Sequence, residues 1–81
     1  MYLIEPVLFA ENLRHFRERE SYSIKRLAEL AQLTPAAVER LEGGAATPTD
    51  EQLRRVAAAL GVQATQLILP RPPEMEYYES C

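Results

Sequence analysis

The stretch Ser23-Ile24-Lys25-Arg26-Leu27-Ala28-Glu29-Leu30-Ala31-Gln32-Leu33-Thr34-Pro35-Ala36-Ala37-Val38-Glu39-Arg40-Leu41-Glu42-Gly43-Gly44 decides how this chain folds. Ser23 is a good helix N-cap, because its hydroxyl accepts a hydrogen bond from an amide of the first turn that has no partner within the helix. Ile24, Leu27, Ala28 and Ala31 follow at i, i+3, i+4 and i+7. That spacing gathers apolar side chains on one face of an eight-residue helix ending near Ala31. Only Gln32 and Leu33 intervene before Thr34-Pro35, an N-cap followed by proline at the first helical position, where its missing N–H is no loss. A second helix runs from there through Val38 and Leu41. It stops at Gly43-Gly44, since glycine readily takes the left-handed conformation that ends helices.

Punctuation of the same kind extends in both directions. Upstream, Pro6 opens a helix whose apolar positions Phe9, Leu13 and Phe16 share one face, with Arg14, Arg17, Glu18 and Arg19 mostly on the other. Downstream, the loop from Gly43 to Pro48 has no periodicity. Thr49 and Gln52 then form a capping-box pattern, Asp50 and Glu51 favour the positive end of a helix, and Leu53, Val56, Ala57 and Leu60 make its buried stripe up to Gly61. Val62 to Leu69 accommodates one short helix before Pro70-Arg71-Pro72-Pro73. Alternating strand patterns and internal repeats are absent. The chain is expected to be all-α, with residues 1–5 as an N-terminal extension, 6–69 as a five-helix domain and 70–81 as a proline-rich, then acidic tail.

Composition narrows the function. With 81 residues, 47% hydrophobic and 26% charged, the chain is the length of one domain and leaves little room for a deep catalytic cleft. The net charge is −3. Up to Pro70, eight Lys and Arg face nine Asp and Glu; beyond it Arg71 faces Glu74, Glu76 and Glu79, so most of the excess acidity is in the tail. The single cysteine, Cys81, has no partner for an intramolecular disulfide, and His15 and Cys81 alone do not make a zinc site. No cofactor or metal is expected. No run is long and apolar enough for a membrane span, and the first residues lack the features of a signal peptide, so a cytoplasmic protein is expected.

The order and spacing of Leu13-Arg14-His15-Phe16-Arg17, Ser23-Ile24-Lys25-Arg26-Leu27-Ala28, Leu33-Thr34, Val38 to Glu42, Gly44, Pro48-Thr49, Ala59-Leu60-Gly61-Val62 and Leu67 resemble the Cro and phage-repressor type of helix-turn-helix domain, the xenobiotic-response-element family. The resemblance spans about Phe9 to Ile68. It implies a lambda-repressor-like fold in which the second and third helices form the helix-turn-helix, and an ion pair of Arg17 with Glu42. Without the resemblance these are two solvated charges.

In that family the third helix lies in the DNA major groove. The resemblance therefore makes Thr34, Ala36 and Arg40 the candidate base readers: Arg40 for a guanine edge, Ala36 for a thymine methyl, Thr34 for a base or phosphate. The alternatives are a solvated or ion-paired Arg40, a small helix former at Ala36 and a plain N-cap at Thr34. Arg14, Ser23, Lys25, Arg26 and Thr47 are the candidate phosphate contacts. The sequence departs from the family at Ile24, where glutamine is common, at Pro35-Ala36 in place of long polar residues, and at Gly43-Gly44-Ala45-Ala46-Thr47, a loop without Lys or Arg. A weakened phosphate grip follows.

The expected function is that of a sequence-specific transcriptional regulator, a repressor that binds double-stranded DNA at a palindromic site as a homodimer, bacterial or phage-type. Ile68 and Leu69 are the candidate dimer contacts, with Tyr2-Leu3-Ile4, Met75, Tyr77 and Tyr78 as further apolar surface. The alternative is an antitoxin-like or adaptor module that binds a protein partner through Ile24, Pro35, Ala36, Ala37, Ala45 and Ala46. Catalysis is not expected, because His15 has no serine, cysteine or paired carboxylate placed to act with it.

Overall fold

A computed structural model of the chain describes residues 4–71. It contains α1 (Pro6–Arg19), α2 (Ile24–Ala31), α3 (Pro35–Glu42), α4 (Asp50–Leu60) and α5 (Ala64–Ile68), and no strand among the described residues. The expectations for Tyr2, Leu3, Met75, Tyr77, Tyr78 and Cys81 fall outside the described residues. No helix among those described is long and apolar enough to cross a membrane.

Each helix turns its apolar stripe to one core: Phe9, Leu13 and Phe16 from α1, Leu27, Ala28 and Ala31 from α2, Val38 and Leu41 from α3, Leu53, Val56, Ala57 and Leu60 from α4, and Leu67 and Ile68 from α5. α3 packs on α1 and α2, while α5 packs on α1 and α4. Helix α1 therefore touches both α3 and α5.

The helix starts follow the capping residues. Ser23 Oγ accepts from the Arg26 amide at 2.9 Å and Thr34 Oγ1 from the Ala37 amide at 3.1 Å. Thr49 and Gln52 cap each other's amides, both at 3.0 Å. Helix α1 is capped by Glu5, whose carboxylate accepts from the amides of Leu8 at 2.7 Å and Val7 at 3.3 Å. Ile4 packs against the core. The helical domain thus begins before Pro6.

Four helices end on a left-handed residue: Ser21 (φ 60°) after α1, Gln32 (φ 59°) after α2, Gly44 (φ 75°) after α3 and Gly61 (φ 71°) after α4. Gly43 itself stays right-handed, so Gly44 alone makes the turn after α3. A Cβ at Gly61 would meet nothing within 4 Å, so φ rather than space is what calls for glycine there.

Two expectations are corrected. Ile68 is 5% exposed and belongs to the core, whereas Leu69 is 53% exposed. The reason is that α5 is little more than one turn, wedged between α1 and α4, so adjacent side chains 100° apart both meet a neighbour. Arg71, read as tail, is instead joined to the domain: its Nε donates to Asn12 Oδ1 at 3.0 Å. Asn12, 1% exposed, donates through Nδ2 to the carbonyls of Leu67 and Leu69, both at 2.9 Å, and so caps the end of α5. Sequence reading missed Asn12, although its position beside Leu13, three residues after Phe9, puts it on the apolar face of α1.

Candidate nucleic-acid interface

The pair α2 and α3, with the turn Gln32-Leu33-Thr34 between them, presents one end of α3 and one side of its surface to solvent. Thr34, Pro35, Ala36, Glu39 and Arg40 are exposed, and Val38 and Leu41 face the core. Arg40 has no ion-pair partner among the described residues. It borders a shallow hollow lined by Ala37, Leu41, Ala46, Thr47 and Gln52, which brings Thr47 of the following loop beside α3.

The opposite side of α3 is anchored to α1. Glu42 is 7% exposed and accepts from Arg17 Nη2 at 3.0 Å through Oε1, and from Arg17 Nε at 2.5 Å through Oε2. This two-pronged geometry matches the planar guanidinium to the planar carboxylate. Arg17 Nη1 also donates to the Tyr22 carbonyl at 2.8 Å. The hydrogen bond to Glu42 outweighs the effect of burial, so Arg17 holds its proton above its ordinary value. The two-pronged pair fixes α3 in rotation relative to α1.

The candidate phosphate contacts are placed unevenly. Lys25 is exposed and has no ion-pair partner among the described residues. Arg26 stands 3.3 Å from Glu29, and Arg14 Nε stands 3.9 Å from Glu42 Oε1 with 59% of its side chain exposed. The exposed Arg26–Glu29 pair is worth about 0–1 kcal/mol, and Arg14, mostly exposed, stands beyond hydrogen-bond distance of a buried carboxylate already held by Arg17, so either arginine can turn to a phosphate. Ser23 and Thr34 accept from backbone amides, which leaves each hydroxyl proton available as a donor. Helix geometry leaves the amides of Ile24 and Lys25 at the start of α2, and of Ala36 at the start of α3, without partners within the helix; Pro35 has none to offer. Ile24 packs partly against the core, which reduces what the largest apolar side chain adds to the uncharged patch expected for a protein partner.

Sequence reading also missed Arg55 of α4. Its Nη1 donates to the Gln32 carbonyl at 3.0 Å, and its Nη2 lies 2.6 Å from Glu51 Oε2. The Glu51-to-Arg55 spacing of four residues was the available signal for the ion pair. Nothing in the sequence pointed from α4 to the turn. No cluster of His, Cys, Asp and Glu that could hold a metal occurs among the described residues.

Comparisons with known proteins agree with this architecture. A family model described as a helix-turn-helix domain matches residues 8–67. The restriction-modification controller protein C.AhdI from Aeromonas hydrophila is 28% identical, with a TM-score of 0.73 over 75% of this chain and 92% of that one. A hypothetical transcription factor, NHTF from Neisseria, is 33% identical, with a TM-score of 0.78 over 82% of this chain and 74% of that one. FeII HppE is 32% identical with a TM-score of 0.74, but the match spans only 38% of that chain against 88% of this one. No curated protein matches the chain. Five helices in this order, an α2–α3 pair with α3 anchored to α1, and these matches give one conclusion: the chain belongs to the helix-turn-helix domain family, in its xenobiotic-response-element, lambda-repressor-like branch.

Proposed function

We propose that this protein is a sequence-specific DNA-binding transcriptional regulator, and that α3 is its reading helix. The observation that carries the reading is the division of α3 into two sides: Glu42 is locked to Arg17, and Arg40 stands exposed and unpaired among the described residues. A helix held in rotation with an exposed arginine suits bidentate recognition of guanine O6 and N7. Thr34 and Ala36 lie near the start of the same helix, where major-groove contacts concentrate. Arg14, Lys25 and Arg26, with the hydroxyls of Ser23 and Thr47, supply the phosphate contacts. The similarity to C.AhdI, a restriction-modification controller protein, and to NHTF, a hypothetical transcription factor, supports a regulatory role. The match to HppE covers too little of that chain to carry an activity here.

One such domain reads too few base pairs to select a site in a genome, so the protein acts as a homodimer on a palindrome. Leu69 is the contact proposed for that dimer, beside a shallow hollow lined by Phe16, Thr65, Gln66, Pro70 and Arg71. Repression follows from occupying DNA that polymerase needs, and a cytoplasmic location follows from acting on DNA in a bacterial or phage-type setting. A second reading, docking of a protein partner, is favoured by one feature: Pro35, Ala36 and Ala45 expose no charge.

Selection of bound duplexes from a random pool, followed by affinity against salt, separates the two. The three cations Arg14, Lys25 and Arg26 predict a logarithmic salt slope of about −3 per subunit. Arg40→Ala is expected to cost about 1–3 kcal/mol of discrimination at one guanine and to leave folding unchanged. A chain that enriches no duplex, or binds with little salt dependence, overturns the DNA reading in favour of the protein partner.

A further inference from the structure

The four left-handed helix ends share one hydrogen-bond pattern. After α1, the amides of Ser21 and Tyr22 donate to Glu18 and Arg17 carbonyls; after α2, those of Gln32 and Leu33 donate to Glu29 and Ala28; after α3, those of Gly44 and Ala45 donate to Leu41 and Arg40; after α4, those of Gly61 and Val62 donate to Ala58 and Ala57. This is the double bond of a Schellman cap, made four times. Two of the caps have glycine, and among the described residues no side chain donates to the carbonyls beside them. The other two, Ser21 and Gln32, lack glycine, and each has an arginine donating to a carbonyl of the turn: Arg17 to that of Tyr22, the residue after Ser21, at 2.8 Å, and Arg55 to that of Gln32 itself at 3.0 Å.

A residue with a Cβ is disfavoured in the left-handed region and stays there only if its surroundings hold it. From this correlation we infer that Arg55 is a positioning residue that clamps the turn between α2 and α3, doing from α4 what glycine does at the ends of α3 and α4. Glu51 aims the clamp, since its carboxylate takes one Nη of Arg55 and leaves the other directed at the Gln32 carbonyl. Gln32 lies only three residues before the first residue of α3, so the backbone angles at Gln32 set the direction in which α3 leaves α2. Arg55 thereby fixes the attitude of the exposed face with Arg40. The consequence for DNA rests on the function proposed above; the clamp itself does not.

The test compares native protein, Arg55→Ala, Gln32→Gly and the double variant. Amide hydrogen exchange at Leu33 reports the clamped cap, and exchange at Val62 reports the equivalent cap closed by Gly61. A general loss of stability raises both rates alike, so their ratio is the readout. In Arg55→Ala the ratio of Leu33 to Val62 exchange is expected to rise about fivefold, the weight of one net hydrogen bond. Gln32→Gly on that background is expected to bring it back near the native ratio, because glycine occupies the left-handed region unaided. Affinity for a selected duplex is expected to fall and recover in parallel. An unchanged ratio in Arg55→Ala, or a raised one that glycine does not restore, overturns the clamp. Failure of the native protein to bind any duplex overturns the proposed function instead, and the exchange ratio decides the clamp without DNA.

Discussion

Helix α1 makes two polar connections through the fold, and they differ in chemistry and in what they hold. Toward α3 it extends Arg17 to Glu42, a charged pair in which the arginine side chain is 14% and the carboxylate side chain 5% exposed. Toward α5 it turns Asn12, a neutral amide whose donors and acceptor are all engaged. The charged pair fixes the rotation of a helix whose other side is exposed to solvent. The amide closes carbonyls that the short α5 cannot satisfy and joins Arg71 to the domain. A buried charge left without its partner is far more costly than a neutral group left without one, so the two connections are expected to fail differently.

The largest effect tests the charged side. Glu42→Gln leaves the Arg17 guanidinium facing a neutral amide, and is expected to lose about 3–5 kcal/mol as the penalty of an uncompensated buried charge. Chemical denaturation measures it. Replacing both partners, Arg17→Met with Glu42→Leu, is expected to recover much of that loss, because neither charge remains to be desolvated. A double variant as unstable as the single one would show that the pair adds net stability, as well as setting the rotation of α3. The pH dependence is expected to be flat on the arginine side. Its raised pKa makes that contribution complete below the ordinary guanidinium value, and it is lost only as pH rises past it.

A smaller loss is expected on the neutral side. Asn12→Leu keeps the branched four-heavy-atom skeleton but removes the donors to Leu67 and Leu69, which should cost about 1–3 kcal/mol. For a domain of this size each kcal/mol moves the thermal midpoint by roughly 4–8 °C. An Asn12→Leu loss as large as that of Glu42→Gln would erase the distinction between the two connections. Arg71→Ala is the mildest: it frees only Asn12 Oδ1, at the solvent side of the network, and is expected to cost about 0.5–1.5 kcal/mol. That change should leave DNA affinity unaltered, whereas Glu42→Gln should lower it.

Much of the domain was legible from local chemistry. Ser23, Thr34-Pro35, Thr49 with Gln52 and Gly61 each act on a neighbour within a few residues, so their spacing in the chain is also their spacing in space. The periodic stripes Phe9-Leu13-Phe16 and Leu53-Val56-Ala57-Leu60 were readable for the same reason. Ile68 was misplaced because one turn of helix offers no periodicity from which to choose a face. Asn12, Arg55 and Arg71 act on residues 55–59, 23 and 59 positions away respectively, and no local rule reaches that far. Arg17 with Glu42 is the exception, 25 residues apart, expected only because the wider pattern resembled a known family.

Sequence alone therefore determined where α2, α3 and α4 begin and end, where α1 begins, and which side of these four helices is apolar, since capping and amphipathicity are set by residues within a turn or two. The tertiary structure alone decided which polar side chains meet across the core, how Gln32 is kept left-handed, and which of Ile68 and Leu69 remains on the surface. Those outcomes depend on how the helices pack against one another, and burial changes the free energy of a polar or apolar group only once that packing exists.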